Sequence, residues 1–283
     1  MMRMKSILAL TLAALWLGAT LAPAGDEPPS PDTIQAGLRE VAQSVQAKIK
    51  AGKRTDADLA DDLMRLDTLL ALEKGARNDE AAQIIYVKAM LYLEVLNHPK
   101  RGKELIRELQ QDYADTKVGK QADRILQSLE KQQLAKQIQA TLVPGASFPD
   151  FKETDLTGNP LSVGQYRGKV VLLDFWATWC GPCRAELPSV IAAYKKYHDQ
   201  GFEVIGISLD SDRDKLTAFL KRQDGMLWPQ YFDGTGWENK LAAKYGVEAI
   251  PFTLLIGPDG KIIAKSVPGE NLDAAVAAAL KGK

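Results

Sequence analysis

Cysteine and histidine are both nearly missing from this chain of 283 residues, which has two of each. So few cysteines exclude a disulfide-stapled scaffold, and so few soft ligands exclude a zinc site of the usual kind. Neither sign of charge is in excess, since Lys+Arg and Asp+Glu stand at 36 each. Nothing electrostatic therefore selects an anionic partner, and no nucleic acid is expected to bind. No motif asks for a cofactor. The one glycine pair that resembles a phosphate loop, "GTG" at Gly234–Gly236, has no strand leading into it and no helical Lys after it. What remains is ordinary globular material, 46% apolar and 25% charged, enough for one large domain or two ordinary ones.

Long apolar runs are also scarce, and the longest opens the chain: "MMRMKSILALTLAALWLGATLAPAGDE". Arg3 and Lys5 precede the apolar stretch Ile7–Leu21, and Ala22-Pro23-Ala24 offers small residues at alternate positions. This predicts a secretory signal over residues 1–24, cleaved after about Ala24. The alternative is an uncleaved anchor, although the run is shorter than the roughly 20 residues that span a bilayer. No cysteine follows it, which excludes a bacterial lipoprotein anchor. Either way an extracytoplasmic, periplasmic location is expected. The linker "DEPPSP" then occupies residues 25–31.

Residues 32–141 lack strand-like alternation and hold a single proline, Pro99. Apolar residues recur at helical spacing instead: Leu59, Leu63, Leu66 and Leu70; Ile84, Val87, Leu91 and Val95; Leu105, Ile106 and Leu109; Ile125 and Leu129. Breaks at "AGKRTD", "GARND", "NHP" and "YADTK" carry turn formers or capping residues. They divide the region into about five helices joined by short loops. The stretch from Ala81 to Leu126 resembles a degenerate tetratricopeptide-type repeat, which would offer a concave surface to a protein partner or a twin. A plain helical spacer fits the same pattern.

From residue 142 to 283 the pattern alternates between strand and helix. Strands are expected at Lys169–Trp176, Phe202–Asp210, "FTLLIG" and "KIIAKSV". Helices are expected at Pro182–Gln200, Asp212–Arg222, Glu238–Tyr245 and Asn271–Leu280. This predicts an α/β unit, a mixed sheet flanked by helices, with "GPDG" turning between the last two strands. Both cysteines fall where the first of these strands ends, in "DFWATWCGPCRAELP". Cys180 stands at the start of the following helix, where free N–H groups and the positive dipole end stabilise a thiolate. Cys183 is one turn on and shares its face, while Gly181 and Pro182 suit the first turn. An exposed thiolate would attack a disulfide and its neighbour would resolve the mixed intermediate. Half a zinc site is the poorer reading, because no second cysteine pair exists. A static structural disulfide is poorer too, since so short a loop stabilises little.

"VVLLDFWAT" followed by "WCGPC" resembles the thioredoxin family, and "GVEAIPFTLLIGPDGKII" resembles its second signature. The start "FPDFKETDLTGNPLSVGQYRGK" and the long connection from Ser208 to Val247 are similar to the extracytoplasmic TlpA/ResA-like branch. The resemblance covers about Val143 to Lys283. It implies a thioredoxin-like fold with a cis Ile250-Pro251 bond facing the cysteines, with Ile250 backbone groups pairing to a bound peptide. Trp179, Gly181, Pro182, Ile250 and Pro251 form the implied substrate surface, and Pro188 matches the family's helix proline.

The same resemblance implies a thiol-disulfide oxidoreductase acting on protein disulfides, with Cys180 attacking and Cys183 resolving. The Gly-Pro pair between the cysteines is like that of reducing thioredoxins. Relatives of this branch draw electrons from a membrane thiol transporter of the CcdA or DsbD type, and many serve cytochrome c maturation. Asp174 matches the buried acid of cytoplasmic thioredoxins, and Glu186 matches the acid that ResA-like proteins carry after the motif. Either could manage the proton of Cys183, against readings as a strand-end hydrogen-bonding Asp and a first-turn helix Glu. Trp176 is expected in the core; Trp228 and Trp237, in the long connection, could rim the site but are expected in the core or as loop anchors, and His98 and His198 as structural. Two other readings are a peroxiredoxin-type peroxidase, disfavoured by Ala177 where that family has Thr, and a scaffold whose redox domain only docks.

Overall fold

The computed structural model describes residues 34–282, so the expected signal segment 1–24 and linker 25–31 lie outside the described residues. The chain divides into two compact units, Met1–Glu130 and Lys131–Lys283.

In the first unit the helices are α1 (Ile34–Lys50), α2 (Ala60–Leu72), α3 (Asp79–Met90) and α4 (Pro99–Asp112), followed by the first half of α5 (Ala122–Thr141). The loops fall at the four breaks expected from the sequence, for local reasons. Asn78 caps α3 through the Ala81 N–H at 2.8 Å, and Pro99 opens α4, where its missing N–H costs nothing. His98, just before it, holds Asp56 with Nε2 at 2.7 Å from Oδ2. The apolar faces read from spacing are those that bury: Leu59, Leu66 and Ile84 are fully enclosed with Leu38 and Val41, while Ile106 and Leu109 close a second cluster with Ala82 and Ile85. Each of α2, α3 and α4 packs on its predecessor. At Gly102 a Cβ would lie 2.4 Å from Leu93 Cγ, so the close contact of α4 with the π turn Leu91–Val95 depends on glycine.

The second unit begins inside α5, eleven residues before the expected boundary at 141/142. Gln139 Nε2 donates to the Tyr245 carbonyl at 2.6 Å, the Gln139 carbonyl accepts from Lys265 at 2.9 Å, and Leu142 enters the core. A short hairpin, β1 (Glu153–Thr154) and β2 (Pro160–Leu161), precedes the main sheet. The remaining strands are β3 (Val170–Trp176), β4 (Phe202–Ser208), β5 (Gln230–Tyr231), β6 (Phe252–Ile256) and β7 (Ile262–Lys265), ordered β5-β4-β3-β6-β7. β4 runs parallel to β3 and β5, and β6 runs antiparallel to β3 and β7. The central β3 is buried at every position, as expected of an unbroken apolar run covered on both faces.

Helices α6 (Gly181–Tyr197), α7 (Arg213–Arg222), α8 (Lys240–Lys244) and α9 (Gly269–Lys281) complete the unit, and α6 packs against α9. This is the α/β thioredoxin-like arrangement expected. β5 is the element that strand patterning missed; with two residues it has no period to read, and it exists through its pairing with Gly206 and Ile207 of β4.

Candidate active site

β3 ends at Trp176, and the chain turns through Ala177–Trp179 into α6 with Cys180 as its N-cap. Thr178 is the pinned residue of that turn. Its N–H and its Oγ1 both bond the Asp210 carboxylate, the hydroxyl at 2.6 Å, and Ser208 Oγ donates to the same group at 2.8 Å. Asp210 is 3% exposed, so a buried carboxylate is satisfied by three donors and holds the turn against the end of β4.

Cys180 has extended backbone, and its Sγ accepts from the Cys183 N–H at 3.2 Å. The two sulfurs form a disulfide. Neither cysteine is exposed, at 5% and 6%, which corrects the expectation of an exposed attacking thiol. Between them Gly181 and Pro182 are exposed, and a Cβ on Gly181 would meet nothing within 4 Å.

Asp174 lies two residues before the end of β3, paired in register with Thr253, and is buried. No hydrogen-bond donor among the described residues reaches its carboxyl. Burial pushes its pKa up to about 7, and the nearby Glu186 carboxylate adds to the rise.

Glu186 departs from expectation. It stands in the second turn of α6, not the first, and its carboxylate receives the backbone N–H of Gly269, the first residue of α9. The N-cap of α9 is Pro268, which has no capping side chain, so Glu186 caps a neighbouring helix. Partial burial raises its pKa, the Gly269 bond opposes the rise, and Glu270 adds to it.

The Ile250-Pro251 peptide is cis. The pairing Phe175↔Phe252 sets Pro251 beside Trp176, at the sheet end from which the cysteine turn departs. Pro188 lies inside α6. Trp176 is buried, with Nε1 donating to Gln230 Oε1 at 2.9 Å; Trp228 is buried against Tyr194. Trp237 packs against the core, as expected of a core or loop anchor, and also reaches the rim of the site. It is half-buried, with its ring 5.9 Å from that of Trp179, which is 53% exposed. Sequence reasoning missed this pairing because only the tertiary fold joins the two loops.

A mixed five-stranded sheet, a cysteine pair at the N-terminus of the helix after its central strand, and a cis proline at the same sheet end define the class: a thioredoxin-fold redox protein. Residues 143–280 match the Redoxin family. The thiol-disulfide oxidoreductase ResA of Bacillus thuringiensis subsp. konkukian is 36% identical over 126 residues, 44% of this chain and 70% of that protein. ResA of Bacillus subtilis is 31% identical over 119 residues, 42% of this chain and 64% of that protein. A solved thioredoxin domain of a thiol-disulfide oxidoreductase from Bacteroides vulgatus is 31% identical, covering 48% of this chain and 97% of that one, with a TM-score of 0.44. The chain belongs to the ResA-like family of thiol-disulfide oxidoreductases, and it is an enzyme of that class.

Proposed function

We propose that the enzyme reduces protein disulfides outside the cytoplasm through Cys180 and Cys183. In the reduced protein the Cys180 thiolate attacks a substrate sulfur, forming a mixed disulfide and releasing one substrate thiolate. Asp174 then takes the proton of Cys183, whose thiolate attacks Cys180 Sγ. The second substrate thiolate leaves and is protonated, and the Cys180–Cys183 disulfide remains. The observation that carries this reading is the Cys180–Cys183 pair at the start of α6, with Asp174 buried on the adjoining strand and its carboxyl pushed up to about 7. A base poised near neutral pH serves proton transfer in both directions. Glu186, engaged by Gly269, acts on Asp174 through its charge. Trp179, Gly181, Pro182, Ile250 and Pro251 form the surface along which the substrate chain lies.

The Gly-Pro pair between the cysteines supports reduction as the direction. A reductase in an oxidising compartment needs its electrons resupplied, and a membrane thiol transporter of the CcdA or DsbD type would fill that role, with apocytochrome c maturation among the uses. The helical unit would serve as a partner or dimerisation surface. The test is the reduction potential of the Cys180/Cys183 pair, equilibrated against glutathione and dithiothreitol buffers. A value near or below about −250 mV supports a reductase, and one above about −180 mV makes the protein an oxidant or isomerase.

A further inference from the structure

The segment Asp233–Lys240 does more than connect β5 to α8. It is tied down at both ends by polar groups that a surface connection does not ordinarily need. Asp233 accepts from the Thr235 N–H at 3.1 Å, the Thr235 hydroxyl at 2.8 Å, the Lys240 N–H at 2.8 Å and the Tyr231 hydroxyl at 3.3 Å. Asn239 is 0% exposed. Its Oδ1 caps α8 through the Leu241 and Ala242 N–H groups, both at 3.0 Å, and its Nδ2 donates to the Ser208 carbonyl at 3.3 Å. Ser208 is also the residue whose hydroxyl helps hold Asp210, and Asp210 holds Thr178. The turn bearing Trp179 and the loop bearing Trp237 are thus anchored at one point, the end of β4.

The consequence is a preorganised pair of indoles immediately before Cys180. Trp179 is the one large aromatic side chain exposed among the described residues, and Trp237 supports it from the side with rings tilted at 53°. A rigid aromatic surface loses little entropy on binding. Charge at its border is compensated: Glu238 pairs with Lys131 at 2.7 Å and Lys240 with Glu153 at 2.6 Å. An apolar side chain therefore suits the platform better than a charged one.

We propose that Trp237 is a specificity-determining residue, which with Trp179 forms a platform for an aromatic or aliphatic side chain flanking the cysteine under attack in the substrate polypeptide. This inference rests on the disulfide-reductase reading and deepens it by naming the substrate feature selected. The exchange chemistry is unchanged, because the platform touches the flanking residue and not the sulfurs.

The experiment uses the full-length protein, reduced beforehand, and two synthetic decapeptides each closed by one disulfide. They differ only in the residue before the first cysteine, Phe in one and Ser in the other. Second-order rate constants are read by acid quench and chromatography, with oxidised glutathione as a third disulfide. The wild type is expected to prefer the Phe peptide about five- to tenfold, the scale of one aromatic contact. Trp237→Ala is expected to bring the two peptides within about twofold, and Trp237→Phe to restore most of the preference. Because the readout is a ratio, general damage to the fold cancels, and the Phe variant controls for loss of packing. A preference that survives in Trp237→Ala overturns the inference. So does a wild type that reduces both peptides equally, and in that case the reductase reading still stands. A wild type that reduces none of the three disulfides overturns both.

Discussion

Asp174 couples the stability of the oxidised protein to pH, and the size of the effect follows from its burial. An aspartate ordinarily titrates near 3.8, and in the folded protein Asp174 titrates at about 7. Below pH 3.8 the carboxyl is neutral in folded and unfolded chains alike and carries no penalty. As pH rises toward 7 the unfolded chain ionises and the folded one resists, so the unfolded state is progressively favoured. At 1.36 kcal/mol per unit, the interval between 3.8 and about 7 amounts to about 4 kcal/mol lost by pH 8, with a slope near 1.4 kcal/mol per pH unit inside the window. Asp174→Asn removes the titration while keeping the shape of the neutral acid. The comparison is urea unfolding of the disulfide form of wild type and variant at half-unit steps from pH 4 to 8. The variant is expected to gain on the wild type steadily across that range. Parallel curves over the whole range would refute the argument, because they would mean that Asp174 ionises in the fold as freely as in water. The same variant is expected to slow peptide-disulfide reduction at pH 7 by about a hundredfold if the carboxylate takes the proton of Cys183.

Glu186→Gln deletes the like charge that contributes to the raised pKa of Asp174; the stability window of the preceding experiment should move to lower pH, and an unmoved window would show that the two acids do not interact. Gly206 is expected to be intolerant of a side chain, since a Cβ there would lie 2.0 Å from Gln230 Oε1, the acceptor of the Trp176 indole. Gly206→Ala should cost about 2 kcal/mol, read as a drop of several degrees in Tm, and an unchanged Tm would mean that Gln230 moves aside freely.

Much of the redox unit was legible because its signals are short-range. The short, β-branched run VVLLDFW reads as a strand buried on both faces, and the Cys-Gly-Pro-Cys three residues beyond it suits the start of the next helix. The helical faces of the first unit were equally local, since Leu59, Leu66, Ile84, Ile106 and Leu109 declare themselves by spacing and all prove fully enclosed. The features that tertiary structure decided join residues distant in sequence. Two residues at Gln230–Tyr231 become a strand because Gly206 and Ile207 lie open beside them. The second unit starts at Lys131 because the late turns of α5 meet Tyr245 and Lys265, a change of partner that helical periodicity does not mark. Glu186 caps α9 instead of complementing its own helix because α9 begins against it. Trp237 meets Trp179 because Asn239 and Asp210 fasten both loops to the end of β4. Spacing along the chain determines which elements form and where the cysteines stand. Which side chains gather around them depends on the packing of sheet and helices, and no local pattern encodes that.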